Sequence, residues 1–124
     1  MDELELNQLV DSWIAATDAD RSDCDPNWWA IEQVILWDVD RQGEPLWQFI
    51  VAAYKRDLSD KALGSLAAGA LEDLLANHGP EYIERVGGLA RKDPKFNYLL
   101  GGVWRNSMTD AVWERIQAAR LKVW

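Results

Sequence analysis

The sequence predicts an all-α protein: 124 residues forming six or seven helices in stacked antiparallel hairpins, a small HEAT-like or TPR-like bundle. Three observations carry this reading. Apolar residues recur at three- and four-residue spacing along most of the chain, and no segment alternates as a strand would. Helix-start signals punctuate it at Asp25-Pro26, Ser59, Asp93-Pro94 and Thr109-Asp110. A faint repeat at an offset of 36 residues sets Leu46, Trp47, Ile50, Arg56, Asp57 and Leu63 against Tyr82, Ile83, Val86, Lys92, Asp93 and Leu99. Each copy reads helix, basic residue plus aspartate, short turn, helix, a period that suits stacked helical hairpins.

The first helix is expected over residues 4–17, with Leu6, Leu9, Val10, Trp13 and Ile14 on one stripe. After the polar loop "TDADRSDCDP", Asp25 caps a second helix with Pro26 in its first turn, reaching residue 38. Apolar residues (Trp28, Trp29, Ile31, Val34, Ile35, Leu36, Trp37) nearly encircle that helix, which predicts the most buried helix, at the centre of the core. Pro45 opens a third helix through Tyr54, and Ser59 caps a fourth that ends at Gly79. Pro80 begins a fifth, to residue 92; Asp93-Pro94 starts a short sixth, to residue 104; Thr109 or Asp110 caps the last, through residue 120. The tail after it is expected to fray. Within the fourth helix, Gly69 shares a face with Ser65, Glu72 and Ala76. Glycine in a helix interior costs about 1 kcal/mol relative to alanine, so a bend, a break or a close helix crossing is expected there. Gly87-Gly88 and Gly101-Gly102 are read as allowing tight helix packing.

The length suits one domain, residues 1–124, with an acidic N-terminal third (1–44) and a helical-hairpin region (45–124). Residues 1–44 carry a net charge of −10 and residues 45–124 a net of +2, which gives −8 for the whole. Such a field repels a phosphate backbone, so nucleic acid is not an expected partner; a basic protein surface is. No apolar run approaches the roughly 18 residues of a membrane span, and the opening Met-Asp-Glu-Leu-Glu-Leu is unlike a secretory signal. Together with a single cysteine, Cys24, this predicts a cytoplasmic protein without a disulfide. Eight tryptophans are unusual at this length, and most serve a core in which each indole N–H needs a partner.

The strings "LAAGALEDLLANHGPEYIERV" and "DPKFNYLLGGVWRNSMTDAVWERIQAAR" resemble a small bacterial family described only as a domain of unknown function. The resemblance is good over about residues 47–120 and looser before them. It implies a small helical protein and carries no reaction, cofactor or partner. Similar sequences often have proline at the position of Ala70, which would make Gly69 a helix cap.

Candidate sites are few. Glu72 and Asp73 point about 100° apart on a helix and form no facing dyad by themselves. His78, the only histidine, sits in a last turn, where it can meet terminal carbonyls. Arg105 and Asn106 lie at a helix end, able to bond carbonyls or a ligand. One histidine and one cysteine supply no zinc-ligand spacing, and "DADRSDCD" lacks the glycine and glutamate of a calcium loop, so no metal or cofactor is expected. Asp18, Asp20, Asp23 and Trp28 are the expected protein-interface residues. The expected function is therefore non-enzymatic: an acidic inhibitor of immunity type that neutralises a toxin or nuclease by covering its basic surface. Two alternatives stand beside it. One is a small enzyme with a polar cleft around Glu72, Asp73, His78, Arg105 and Asn106; the other is a structural adaptor. An exposed apolar strip bordered by the Asp18–Asp25 loop would favour the first reading.

Overall fold

A computed structural model describes residues 1–124 as seven α-helices and one π-helical segment, with no strand. Helix α1 spans Glu3–Asp18, started by the Asp2 carboxylate accepting from the Glu5 N–H at 2.8 Å. Its stripe Leu9, Val10, Trp13, Ala16 and Thr17 is buried, as the 3.6-residue period requires. Asp20 and Arg21 then take left-handed backbone (φ 81° and 55°), and the Arg21 N–H returns to the Ala16 carbonyl at 2.9 Å. This reverses the chain into the acidic loop.

Helix α2, Trp28–Val39, begins two residues later than the Asp25-Pro26 signal implies. The Asp25 carboxylate accepts from the Asn27 N–H (2.7 Å) and its carbonyl from the Trp28 N–H (3.0 Å). Asp25 therefore closes a turn and does not cap the helix. The expectation that this helix is the most buried is also overturned. Ala30, Ile31, Val34 and Trp37 face the core, while Trp29, Ile35, Leu36 and Val39 are 50%, 44%, 42% and 65% exposed. The helix lies at the edge of the bundle, chiefly against α1 and α3 (Gly43–Tyr54) with smaller contacts to the run of residues 60–92, and its outer side stays uncovered.

The centre is elsewhere. Residues 60–92 form one continuous helical run: α4 (Asp60–Ser65), the π segment (Leu66–Leu71) and α5 (Glu72–Lys92). Ser59 caps it as expected, accepting from the Ala62 N–H at 3.1 Å. The stretch around Gly69 neither breaks nor makes a close crossing; a Cβ on Gly69 would meet no atom within 4 Å. A π turn there admits an extra residue into the helix, which offsets the faces before and after it. The expected helix end at Gly79 is instead a kink. His78 takes φ −133°, ψ 20°, Pro80 has no N–H to give, and the helix resumes. Gly79 passes so close to the last helix, α7 (Asp110–Ala119), that a Cβ would sit 2.9 Å from a methyl of Val112.

Helix α6, Pro94–Leu100, is capped by Asp93 accepting from the Lys95 N–H (3.0 Å), and α7, Asp110–Ala119, by Thr109 accepting from the Val112 N–H (3.2 Å). The two halves of the 36-residue pattern meet where the Tyr54 hydroxyl donates to Asp93 at 2.7 Å. Edge-on ring pairs Trp13–Phe49 (5.3 Å) and Tyr54–Phe96 (5.1 Å) tie α1, α3 and α6 through one core.

The C-terminal tail does not fray. Leu121 N–H donates to the buried Asn97 side chain (2.9 Å), Trp124 N–H to the Gly101 carbonyl (3.1 Å) and the Trp124 indole N–H to the Tyr98 carbonyl (2.6 Å). The indole stacks on Tyr98 at 5.3 Å. Gly101 and Gly102 admit this strap rather than a helix: a Cβ on Gly102 would lie 2.6 Å from the Trp124 ring. Gly88 faces open space, and the nearest approach to a Cβ on Gly87 is its own helix's Arg91 side chain, so neither supports tight packing.

Candidate functional site

The five polar candidates do not gather in one cleft. Glu72 and Asn106 do meet. One Glu72 oxygen accepts from the Trp104 N–H (2.9 Å) and the other from the Asn106 side-chain amide (3.2 Å), which pins the loop between α6 and α7 to the start of α5. Each Glu72 oxygen thus accepts one hydrogen bond, which gives this carboxylate a positioning role for the loop. Arg105 turns away to pair with Asp110. His78 lies beside the Tyr82 ring, centroids 6.3 Å apart, with its Nε2 buried and without a partner. Asp73, one step around from Glu72, lines a cavity between α2 and the π segment together with Asp38. Burial pushes its carboxyl up to about 6, with the charges of Asp38 and Glu72 adding to the shift.

The acidic loop is partly tied down. Asp18 accepts from the Ser59 hydroxyl (2.6 Å), Asp20 pairs with Lys61 (3.0 Å), and Asp23 stays exposed at the tip beside Cys24. Trp28 is half-buried against the core; its neighbour Trp29 is the exposed one. Nowhere do three or more His, Cys, Asp or Glu side chains come together as metal ligands would.

The feature missed by periodicity is the outer face of α2. Trp29, Ile35, Leu36 and Val39 run along its solvent side, with the carboxylates of Glu32 and Asp40 exposed among them. A helix apolar all round normally reads as buried, so the same residues point equally to a core or to a docking face. A second concavity, about 610 Å³, lies between the start of α1 and α3, floored by Leu6, Trp47 and Val51. Of its charges, Glu44 is engaged by Arg85 and Tyr82 and Arg56 by Asp11, while the Glu3 and Lys55 side chains have no partner.

The molecule is thus a small all-helical domain with an uncovered apolar helix face on its acidic side and no helix long and apolar enough to cross a membrane. Residues 17–123 match the model of a family described as "Family of unknown function (DUF6869)", and the chain belongs to that family. No curated protein and no solved structure matches it.

Proposed function

We propose that this is a protein-binding domain that lays the outer face of α2 into an apolar groove rimmed by lysine and arginine on a partner protein. The observation that carries the reading is the row of Trp29, Ile35, Leu36 and Val39, all at least two-fifths exposed, on a folded helix. Helix-in-groove recognition uses anchors at this spacing, and tryptophan is the commonest anchor of binding energy. Charge selects the groove. Glu32 on the helix, Asp40 just past its end and Asp23 in the loop before it are exposed and in no ion pair, within a segment of net charge −10. A basic rim would be attracted over a Debye length of about 10 Å at 0.1 M salt. A second copy of the chain would set these carboxylates against themselves. In an inhibitory role, the domain would cover the basic working surface of a toxin or nuclease in the cytoplasm, where an exposed Cys24 stays reduced.

The test compares proteins captured by the wild-type domain and by Trp29→Ser and Leu36→Ser from the native host. The expected result is a basic protein retained by wild type, lost from both variants and released by salt. A partner retained equally by all three would overturn the assignment of α2 as the docking face.

A further inference from the structure

The cavity between α2 and the π segment measures about 70 Å³. At about 10–15 Å³ per ordered water, it has room for about five waters. Its floor is apolar (Trp13, Ile31, Leu46), and Arg21, Ser65, Asp38 and Asp73 supply polar groups to its wall. Arg21, Ser65 and Gly69 also line an open groove of about 500 Å³ along α4, so the cavity has an entrance. The π segment makes this opening: Gly69 stands at the junction, and any side chain there would project into free space.

Arg21 and Asp73 are opposite charges, both half-buried and both facing the same small cavity, yet they do not pair. The five ion pairs of the molecule all lie elsewhere. The guanidinium spends one donor, on the Thr17 hydroxyl at 3.3 Å, and the Asp73 carboxylate accepts no hydrogen bond. Asp38, beside it, accepts from Asn77 at 2.7 Å. Burial lowers the Arg21 pKa and raises that of Asp73, and no opposite charge in the chain pairs with either. Uncompensated charges of this kind in a cleft are the mark of a ligand site.

We infer that the cleft binds a small zwitterionic α-amino acid, with its carboxylate on Arg21 and Ser65, its ammonium on Asp73 and its short side chain over the Trp13–Ile31–Leu46 floor. Both stranded charges gain a partner from one molecule. The volume limits that molecule to about the size of glycine, alanine or serine. The cavity shares Ile35 with the α2 docking face but not Trp29, so replacing Trp29 tests that face alone.

Isothermal titration calorimetry of the full chain at about pH 7.5, where Asp73 is ionised, tests this with glycine, L-alanine and L-serine. Alanine amide lacks the carboxylate and propionate lacks the ammonium. The expected result is saturable one-site binding of at least one zwitterion, with both analogues weaker by about tenfold or more. Arg21→Met and Asp73→Asn should each weaken binding by about tenfold or more. Gly69→Leu should abolish it by filling the entrance without lowering the melting temperature. Trp29→Ser should bind the amino acid as wild type does, so that this site and the α2 face succeed or fail separately. Absence of saturable binding at roughly tens of millimolar ligand, equal binding of the analogues, or undiminished binding by the Arg21 and Asp73 variants would each overturn the inference.

Discussion

At the scale of single residues, environment has separated groups that look alike in the sequence. Glu72 and Asp73 are adjacent carboxylates, but Glu72 holds a loop by two hydrogen bonds while Asp73 faces a cavity with none. With its carboxyl raised to about 6 from an ordinary 3.8, Asp73 takes up a proton more readily in the folded state than in the unfolded one. Its contribution therefore lowers stability as pH rises from about 4 to about 6, and the penalty is fully present above that window. Asp73→Asn should raise the unfolding free energy at neutral pH by no more than about 1 kcal/mol, because solvent reaches the group, and change little at about pH 4. Urea melts at the two pH values check this; an equal effect at both would show the residue is not strained. The tryptophans divide in the same way. Trp13→Ala should cost about 3–5 kcal/mol, as for any large core truncation. Trp29→Ala and Ile35→Ala should each stay within about 0.5 kcal/mol in the same melts, because both side chains are about half exposed.

At the scale of elements, the caps follow from local chemistry and the glycines do not. Ser59, Asp93 and Thr109 each accept from a backbone N–H two or three residues ahead, a bond requiring nothing beyond the first turn. Asp25 had the same signature but serves a turn, its carboxylate accepting from the Asn27 N–H before the helix begins at Trp28. Gly69 and Gly79 both sit within the run from Asp60 to Lys92, yet have opposite surroundings. Gly69→Ala should stabilise by about 0.5–1 kcal/mol, the gain from removing a helical glycine, provided the π segment survives the change. Gly79→Ala should destabilise by about 1–3 kcal/mol, since the new Cβ meets the stiff, β-branched Val112 at the kink. Thermal melts of the pair decide it, and like signs would refute the contrast.

At the scale of the molecule, the tail and the charge distribution are the testable features. Deleting residues 121–124 bares Gly101, Gly102 and Tyr98 and removes three hydrogen bonds. The expected cost is about 1–2 kcal/mol. Gly102→Val, which collides with the Trp124 ring, should likewise strip hydrogen-exchange protection from the Trp124 amide while leaving α1 unaffected. Retained protection would mean the tail is not held by this notch. The acidic third should act on encounter with a partner. Asp18 and Asp20 are engaged within the chain, so Asp23, Glu32 and Asp40 are the residues to neutralise. Their conversion to amides should slow association severalfold at low salt and leave dissociation nearly unchanged, since rim charges act chiefly on the on-rate. Surface plasmon resonance at two salt concentrations, against the partner captured by wild type, measures both rates.

The sequence by itself determined the helical class, three of the caps and the asymmetry of charge; at Gly79-Pro80 it marked the irregularity but as a helix end, where the helix in fact kinks and continues. These depend on neighbours within a turn or on composition, and they survive whatever packs outside. Only the tertiary structure decided which side of α2 is covered, that the stretch around Gly69 is a π segment beside an open cleft, and that the last four residues strap down. It also decided that, of the five polar candidates, only Glu72 and Asn106 meet. Each of these depends on which helix lies opposite, and that is set by the packing of all the helices together. An amphipathic pattern says that an apolar face wants covering; it does not say whether this chain or another protein covers it.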